Sequence, residues 1–251
     1  MHIAVLAKAV PDYEVPAGDF ELVDNRAHGR YTRMIGLYDE NAIEVGIQLK
    51  EKYSYNVTVI SYGDENDIKV LRKAVAMGCD RFVLVTGSSD DPYVIAANLK
   101  MAIDKLGDVD LVLAGRQSAD MDRGVVHGIL AGMMGYPFIP QVSQILYQDN
   151  RWDVNQITET GVMRMQFSGK AVISITDDTT NVPRIPPVRG ILAAKKMPVE
   201  KFEAIDAGTM GAAEVSVETP KMDSRCEFIP VEDVEQAAAI LLKRLKEERY
   251  L

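Results

Sequence analysis

Asp110-Leu111-Val112-Leu113-Ala114-Gly115-Arg116-Gln117-Ser118-Ala119-Asp120-Met121-Asp122-Arg123-Gly124 runs from an almost unbroken apolar stretch into a polar loop bounded by glycines. Residues 111–114 have the short Val/Leu pattern of a strand buried on both faces. The polar residues that follow predict a loop, and a helix is expected to begin between Asp122 and Gly124. In open α/β sheets ligands bind beyond the carboxyl ends of the strands, near the point where the strand order reverses. A helix N-terminus there offers unpaired N–H groups and a partial positive charge suited to phosphate or pyrophosphate, and Arg123 adds a full charge. Gly124, Gly128 and Gly132 recur every four residues and leave one helix face bare for a ligand or a neighbouring backbone. A plainer reading stays open beside this one: Asp120 or Asp122 is an N-cap and the glycines serve helix–sheet packing.

The neighbouring sequence repeats the pattern. Residues 3–7, 57–61 and 82–85 are further short apolar runs, and helical stretches lie between them. Ala42, Val45 and Leu49 share one helical face, as do Ile68, Leu71 and Val75, while Pro92 opens a third helix, whose first turn has no use for the missing N–H. This alternation predicts an open parallel sheet with helices on both faces, a Rossmann-like α/β fold. After Pro137 the pattern changes: 144–147, 151–154 and 162–167 read as short strands, with a turn at Asp149-Asn150. Residues 170–176 could rejoin the main sheet. Pro183, Pro186 and Pro187 oppose both helix and ladder. Residues 199–230 lack periodicity and are expected as an extended arm, and 231–245 carry an apolar stripe that predicts a terminal helix. The expected division is a nucleotide-binding α/β domain over 1–184, with a recognition loop and partner-seeking arm over 185–251.

Composition narrows the chemistry. The 251 residues are 47% hydrophobic and carry a formal charge of −9, which argues against nucleic acid and anionic lipid as partners. No apolar run reaches the roughly 20 residues that span a bilayer. The start, Met1-His2-Ile3-Ala4-Val5, enters a strand pattern at once rather than a signal peptide, so a cytoplasmic location is expected. Cys79 and Cys226 are too few and too distant for a disulfide framework or a CxxC pair, and His2, His28 and His127 are equally scattered. No metal centre or catalytic nucleophile is expected; the chemistry falls to an organic cofactor. Absent too are a GxGxxG after the first strand, a GxxxxGK[ST] loop and a GxSxG elbow. Asp39-Glu40, Asp120/Asp122 and Asp177-Asp178 could supply acid–base carboxylates, but in a chain this acidic they read as solvated surface; Tyr62 reads as packing or a stacking platform, and His127 as a helix-face histidine.

Beyond these readings the chain resembles the beta subunit of electron-transfer flavoproteins over nearly its whole length. HIAVLAKAVPD is similar to the family's opening strand and K-x-V-P-D, and YDENAIEVGIQLKEK to the segment after its Asn-Pro-Phe turn. VTVISYGDEN followed by LRKAVAMGCDRFVLV resembles its strand–Gly–helix–AMGAD run. DLVLAGRQSADMD is similar to D-L-V-L-x-G-[KR]-Q-A-I-D-x-D, and NVPRIPPVRGILAAKK to the stretch with the partner-recognition loop. The resemblance implies an adenosine site at Leu6, Ala7, Gly36, Asp39, Tyr62 and Gly63. It implies a phosphate site at Gly115, Arg116, Gln117, Asp120, Met121, Asp122, Arg123, Gly124, Val125 and Val126, and partner recognition at Val188 and Arg189.

There are departures. Gly36-Leu37-Tyr38 replaces Asn-Pro-Phe and loses an amide, and Asp120-Met121-Asp122-Arg123 replaces D-G-D-T, losing a hydroxyl and gaining a guanidinium. A Gln amide is lost a little further on. Val188-Arg189-Gly190 and Gly115-Arg116-Gln117 are similar to the electron-bifurcating branch, which implies FAD in this subunit and NADH as substrate. The implied partners are an alpha subunit, a flavin-dependent dehydrogenase such as an acyl-CoA dehydrogenase, and ferredoxin or flavodoxin. The alternatives are a non-bifurcating subunit with structural AMP, or a free-standing adenylate-binding module of the stress-protein type.

Overall fold

The computed structural model describes residues 1–12, 14, 20–23, 26–29, 31–209, 216, 218, 226, 228–229 and 233–250. Its elements are β1 (His2–Leu6), β2 (Ala9–Pro11), β3 (Phe20–Val23), β4 (Arg26–Gly29), β5 (Arg33–Ile35), α1 (Leu37–Tyr53), β6 (Asn56–Gly63), α2 (Ile68–Met77), β7 (Arg81–Thr86), α3 (Pro92–Leu106), β8 (Leu111–Gly115), α4 (Val126–Met134), β9 (Phe138–Gln148), β10 (Arg151–Thr158), β11 (Gly161–Phe167), β12 (Ala171–Ile175), α5 (Val188–Lys196), β13 (Glu200–Glu203) and α6 (Val234–Glu247). Among the described residues the main sheet has nine strands in the order β11-β10-β9-β12-β8-β1-β6-β7-β13. From β9 to β13 the neighbouring strands are parallel; β10 and β11 extend the sheet as an antiparallel meander.

The apolar runs form the centre of this sheet because both faces are covered. Ile3, Val5, Val57, Leu111 and Leu113 point into one core with α1 and α2, while Ala4, Leu6, Val83, Val112 and Ala114 point into the other with α3 and α4. Continuous burial removes the polar alternation of a one-faced strand. From β1 the chain steps outward to β6 and β7, then α3 carries it back past β1 to β8 on the opposite side. The order therefore reverses between β1 and β8, where a crevice opens at the carboxyl ends.

Several expectations are refined. The strand read from residue 144 begins at Phe138 and runs through Pro140. Its first part pairs with β12; Gln141 then takes φ 52° and the register shifts before the antiparallel part begins. The N–H of Gln141 donates to Ser174 Oγ at 2.9 Å, so the bulge leaves no lost hydrogen bond there. Asp149 and Asn150 turn the next hairpin with φ 50° and 61°, the left-handed pair of a tight two-residue turn.

After Pro187 the chain is not extended: residues 188–196 form α5, for which proline is only the preceding N-cap. Glu200–Glu203, expected within the arm, adds to the sheet edge beside β7. By compactness the chain forms one unit from residues 1–21 and 27–215, and another from 22–26 and 216–251 that contains α6. No residue of α6 is buried, and Val234, Ile240, Leu241 and Leu242 are exposed. Among the described residues no helix is long and apolar enough to cross a membrane.

Candidate functional site

A cavity of about 270 Å³ lies at the reversal of strand order. Its walls come from the ends of β1 (Leu6, Ala7, Lys8), β6 (Tyr62, Gly63) and β8 (Gly115), and from the loops after β7 and β8. Of the expected site residues, Leu6, Ala7, Asp39, Tyr62, Gly63, Gly115, Gln117, Met121, Arg123, Gly124, Val125 and Val126 line it. Four others lie beside it. Gly36 is the N-cap of α1, Arg116 stacks over the Tyr38 ring at 4.2 Å, Asp120 pairs with Lys8, and Asp122 accepts from Gln117 at 2.7 Å. Val188 and Arg189 open α5, away from the cavity walls.

Asp39 holds the crevice together. It is only 8% exposed, so the solvated-surface reading of Asp39-Glu40 is overturned: both side chains are buried. One Asp39 oxygen accepts from the N–H of Lys8 at 2.8 Å and the other from the N–H of Gly115 at 3.1 Å. These amides lie at or just past the ends of β1 and β8, the strands that part here. Burial pushes the Asp39 carboxyl up to about 7, against the two amides that favour its charged form. Gly115 is needed for this approach: a Cβ there would stand 2.5 Å from Asp39 Oδ1 and 2.7 Å from the Asp39 backbone nitrogen.

Along the wall that follows β8, α4 starts at Val126, two residues later than the latest expected start, and its N-cap Val125 makes no side-chain cap. Neither Asp120 nor Asp122 caps it, which removes the plainer reading of those two residues. The first N–H groups of α4 are thus left without a capping side chain beside Gly124, Val125 and Val126 of the cavity wall. The glycine stripe separates into different roles. Gly124 precedes the helix with φ 58°, Gly128 lies against the Phe138 ring, and Gly132 has nothing near it.

Lys8, Arg33 and Arg123 are the cations of the cavity wall. Lys8 Nζ is paired with Asp120 at 2.6 Å and Arg33 with Asp67 at 2.8 Å. Arg123 donates to the carbonyl of Asp90 at 3.2 Å and, among the described residues, has no carboxylate partner. Tyr62 packs its ring on Gly87, and its hydroxyl accepts from the N–H of Ser89 at 3.0 Å, fixing the loop after β7. His127 is buried rather than merely on a helix face: Nε2 donates to the carbonyl of Arg116 at 2.9 Å, and the ring stacks on Phe138. Burial lowers its pKa, against the hydrogen bond to Arg116.

Sequence reasoning missed Arg33, Ser88 and Ser89. The serines carried a usable signal, since Gly87-Ser88-Ser89-Asp90-Asp91-Pro92 is also a strand-to-helix junction, with Asp91 capping α3. Arg33 carried none; it arrives through the short pairing of β2 with β5. Among the described residues no cluster of three or more His, Cys, Asp or Glu side chains is placed to hold a metal ion.

An open α/β sheet with a cavity at its reversal point, beside an uncapped helix N-terminus and an arginine that has no carboxylate partner among the described residues, is the arrangement in which folds of this class bind their ligands. Residues 30–207 match the electron transfer flavoprotein domain family. The electron transfer flavoprotein subunit beta of Bacillus subtilis (strain 168) is 32% identical over 201 residues, covering 78% of this chain and 76% of the relative. That of Syntrophomonas wolfei subsp. wolfei is 32% identical over 210 residues, 82% of each, and that of Mycobacterium leprae 30% over 240 residues, 88% of each. The chain belongs to the electron transfer flavoprotein family, on its beta-subunit side.

Proposed function

We propose that this chain is the beta subunit of a heterodimeric electron-transfer flavoprotein, working in the cytoplasm with an alpha subunit and holding FAD by its adenylate half in the cavity. The observation that carries the reading is Arg123, the wall cation without a carboxylate, beside the uncapped start of α4. The adenosine would lie against Leu6, Ala7, Asp39, Tyr62 and Gly63, at the strand ends. The phosphates would lie among Gly115, Gln117 and the backbone from Met121 to Val126, with Arg123 as counter-ion. Arg116 is assigned the rim instead, since its guanidinium rests on Tyr38.

Bound there, FAD would supply hydride acceptance from NADH and its division into single electrons for ferredoxin or flavodoxin and for a flavin-dependent dehydrogenase such as an acyl-CoA dehydrogenase. The chain's own residues would orient the nucleotide, balance its charge and offer partner surfaces. Residues 185–251 are assigned to those surfaces, with Val188 and Arg189, in the first turn of α5, as recognition residues. One sign of the bifurcating branch has a separate cause: a Cβ at Gly190 would stand 2.3 Å from the carbonyl oxygen of Ala76, so helix packing alone requires that glycine.

A second reading, AMP as a structural ligand, is favoured by volume: about 270 Å³ is at the lower end for ligand sites and suits a mononucleotide. Chromatography of the nucleotide released by heating the purified heterodimer separates the readings. FAD at two per heterodimer, with flavin bleaching by NADH, is expected. AMP with one FAD would exclude bifurcation, and no adenine nucleotide in this chain would remove the site assignment. Arg123→Glu should lower nucleotide retention by tenfold or more through charge reversal at the phosphates. Unchanged nucleotide content after gel filtration in low and high salt would place Arg123 elsewhere.

A further inference from the structure

The phosphate end of the cavity is sparing in positive charge. Asp120 and Asp122 precede Arg123 in the loop before α4, and Lys8 would be a second available cation if it were free. It is not: Asp120 Oδ2 holds its ammonium at 2.6 Å, across 112 residues of sequence. Burial raises the pKa of Asp120, but the hydrogen bond and charge of Lys8, together with hydrogen bonds from Ser118 and the backbone, outweigh it and hold the carboxyl below its usual range, so Asp120 stays charged at neutral pH. Arg33 is also engaged, by Asp67 at 2.8 Å and by the carbonyl of Ala9 at 2.7 Å, although burial raises rather than lowers the pKa of Asp67. The balance offered to an anion is therefore Arg123 and the N–H groups of α4, which suffices for a phosphate monoester or a pyrophosphate diester. A longer phosphate chain would bring further charge against a wall carrying carboxylates, with no cation left unengaged among the described wall residues to receive it.

Resting on the adenine-nucleotide reading of the cavity, we infer that Asp120 is a specificity-determining residue: by neutralising Lys8 it limits the charge of the nucleotide accepted, favouring AMP or a dinucleotide such as FAD over ADP and ATP. One extra charge at a partly solvated site changes affinity by roughly tenfold at contact-to-neighbour distances. The test is equilibrium binding of AMP, ADP and ATP to the full-length chain purified free of nucleotide. Wild type should prefer AMP over ATP by about tenfold or more, a preference that shrinks as salt rises. Asp120→Asn should narrow the ratio by about tenfold, and adding Lys8→Met should restore it. Should Asp120→Asn fail to fold, the salt dependence of the wild-type ratio still decides. AMP and ATP binding equally to wild type, a ratio indifferent to salt, or one unmoved by Asp120→Asn would overturn the inference while leaving the nucleotide site standing. No binding of any of the nucleotides would overturn both.

Discussion

Asp39 concentrates the chemistry of the crevice in one carboxyl group. Its pKa is raised by burial to about 7 from the ordinary 3.8, so the unfolded chain releases this proton at lower pH than the folded one. Its contribution to stability is thus complete below about pH 4 and is lost as the pH rises towards 7, by up to about 1.4 kcal/mol per pH unit. Urea unfolding of the nucleotide-free protein at a series of pH values should show that decline, and Asp39→Asn should flatten it. The variant should also be less stable at acid pH, because an amide N–H₂ would face a backbone N–H, at a cost of about 1–3 kcal/mol. A wild-type curve that rises from pH 4 to 7 in step with the variant's would mean that Asp39 is ionised throughout. Gly115→Ala tests the same contact sterically. A methyl group 2.5 Å from Asp39 Oδ1 forces β8 and α1 apart, and a loss of about 1–3 kcal/mol together with the bound nucleotide is expected.

α5 shows what holds an element that its own sequence does not announce. Arg72 donates to the carbonyls of Ala194 and Met197, and Gly190 lets the helix lie against the end of α2. The segment before it is tied to α1. Arg184 Nε and Nη2 reach Glu44 at 2.9 Å, and its remaining donors reach Glu51. Burial pulls the Glu44 carboxyl up, but the hydrogen bonds and charge of Arg184, with a further hydrogen bond from Gln48, together outweigh it and hold the group below its usual range. Arg184→Ala would strand that carboxylate, and chemical denaturation should show a loss of about 2 kcal/mol or more, partly recovered by adding Glu44→Gln. Additive losses in the double variant would show that the pair is not coupled.

This is also where legibility in the sequence changes. The central strands and α1 to α3 were readable because burial on both faces writes itself into runs of Val, Ile and Leu, and helical spacing into Ala42, Val45 and Leu49. The strand-end loops of the site followed from that topology. α5, β13 and Arg33 depend on contacts with residues far away in sequence, for which neither periodicity nor turn chemistry leaves a local mark. The start of α4 was misplaced because Asp122, a favoured capping residue, instead takes φ 52° and accepts from Gln117.

For the molecule as a whole, the apolar residues of α6 have no buried place of their own. Amide exchange over 233–250 should therefore be fast in the isolated chain and slow, by tenfold or more, once an alpha subunit is bound. Equal protection in both would mean that the helix is satisfied without a partner. The sheet order also has a consequence for synthesis on the ribosome. β1 is made first yet sits at the centre, between residues 56–63 and residues 111–115. One side of the nascent β1 must wait, unpaired, while β6, β7 and α3 emerge, and Lys8 waits longer still for Asp120. The cavity cannot be completed in a chain still being translated until α4 has left the exit tunnel, so a stalled chain ending before it would present an open, aggregation-prone strand edge rather than a half-built site.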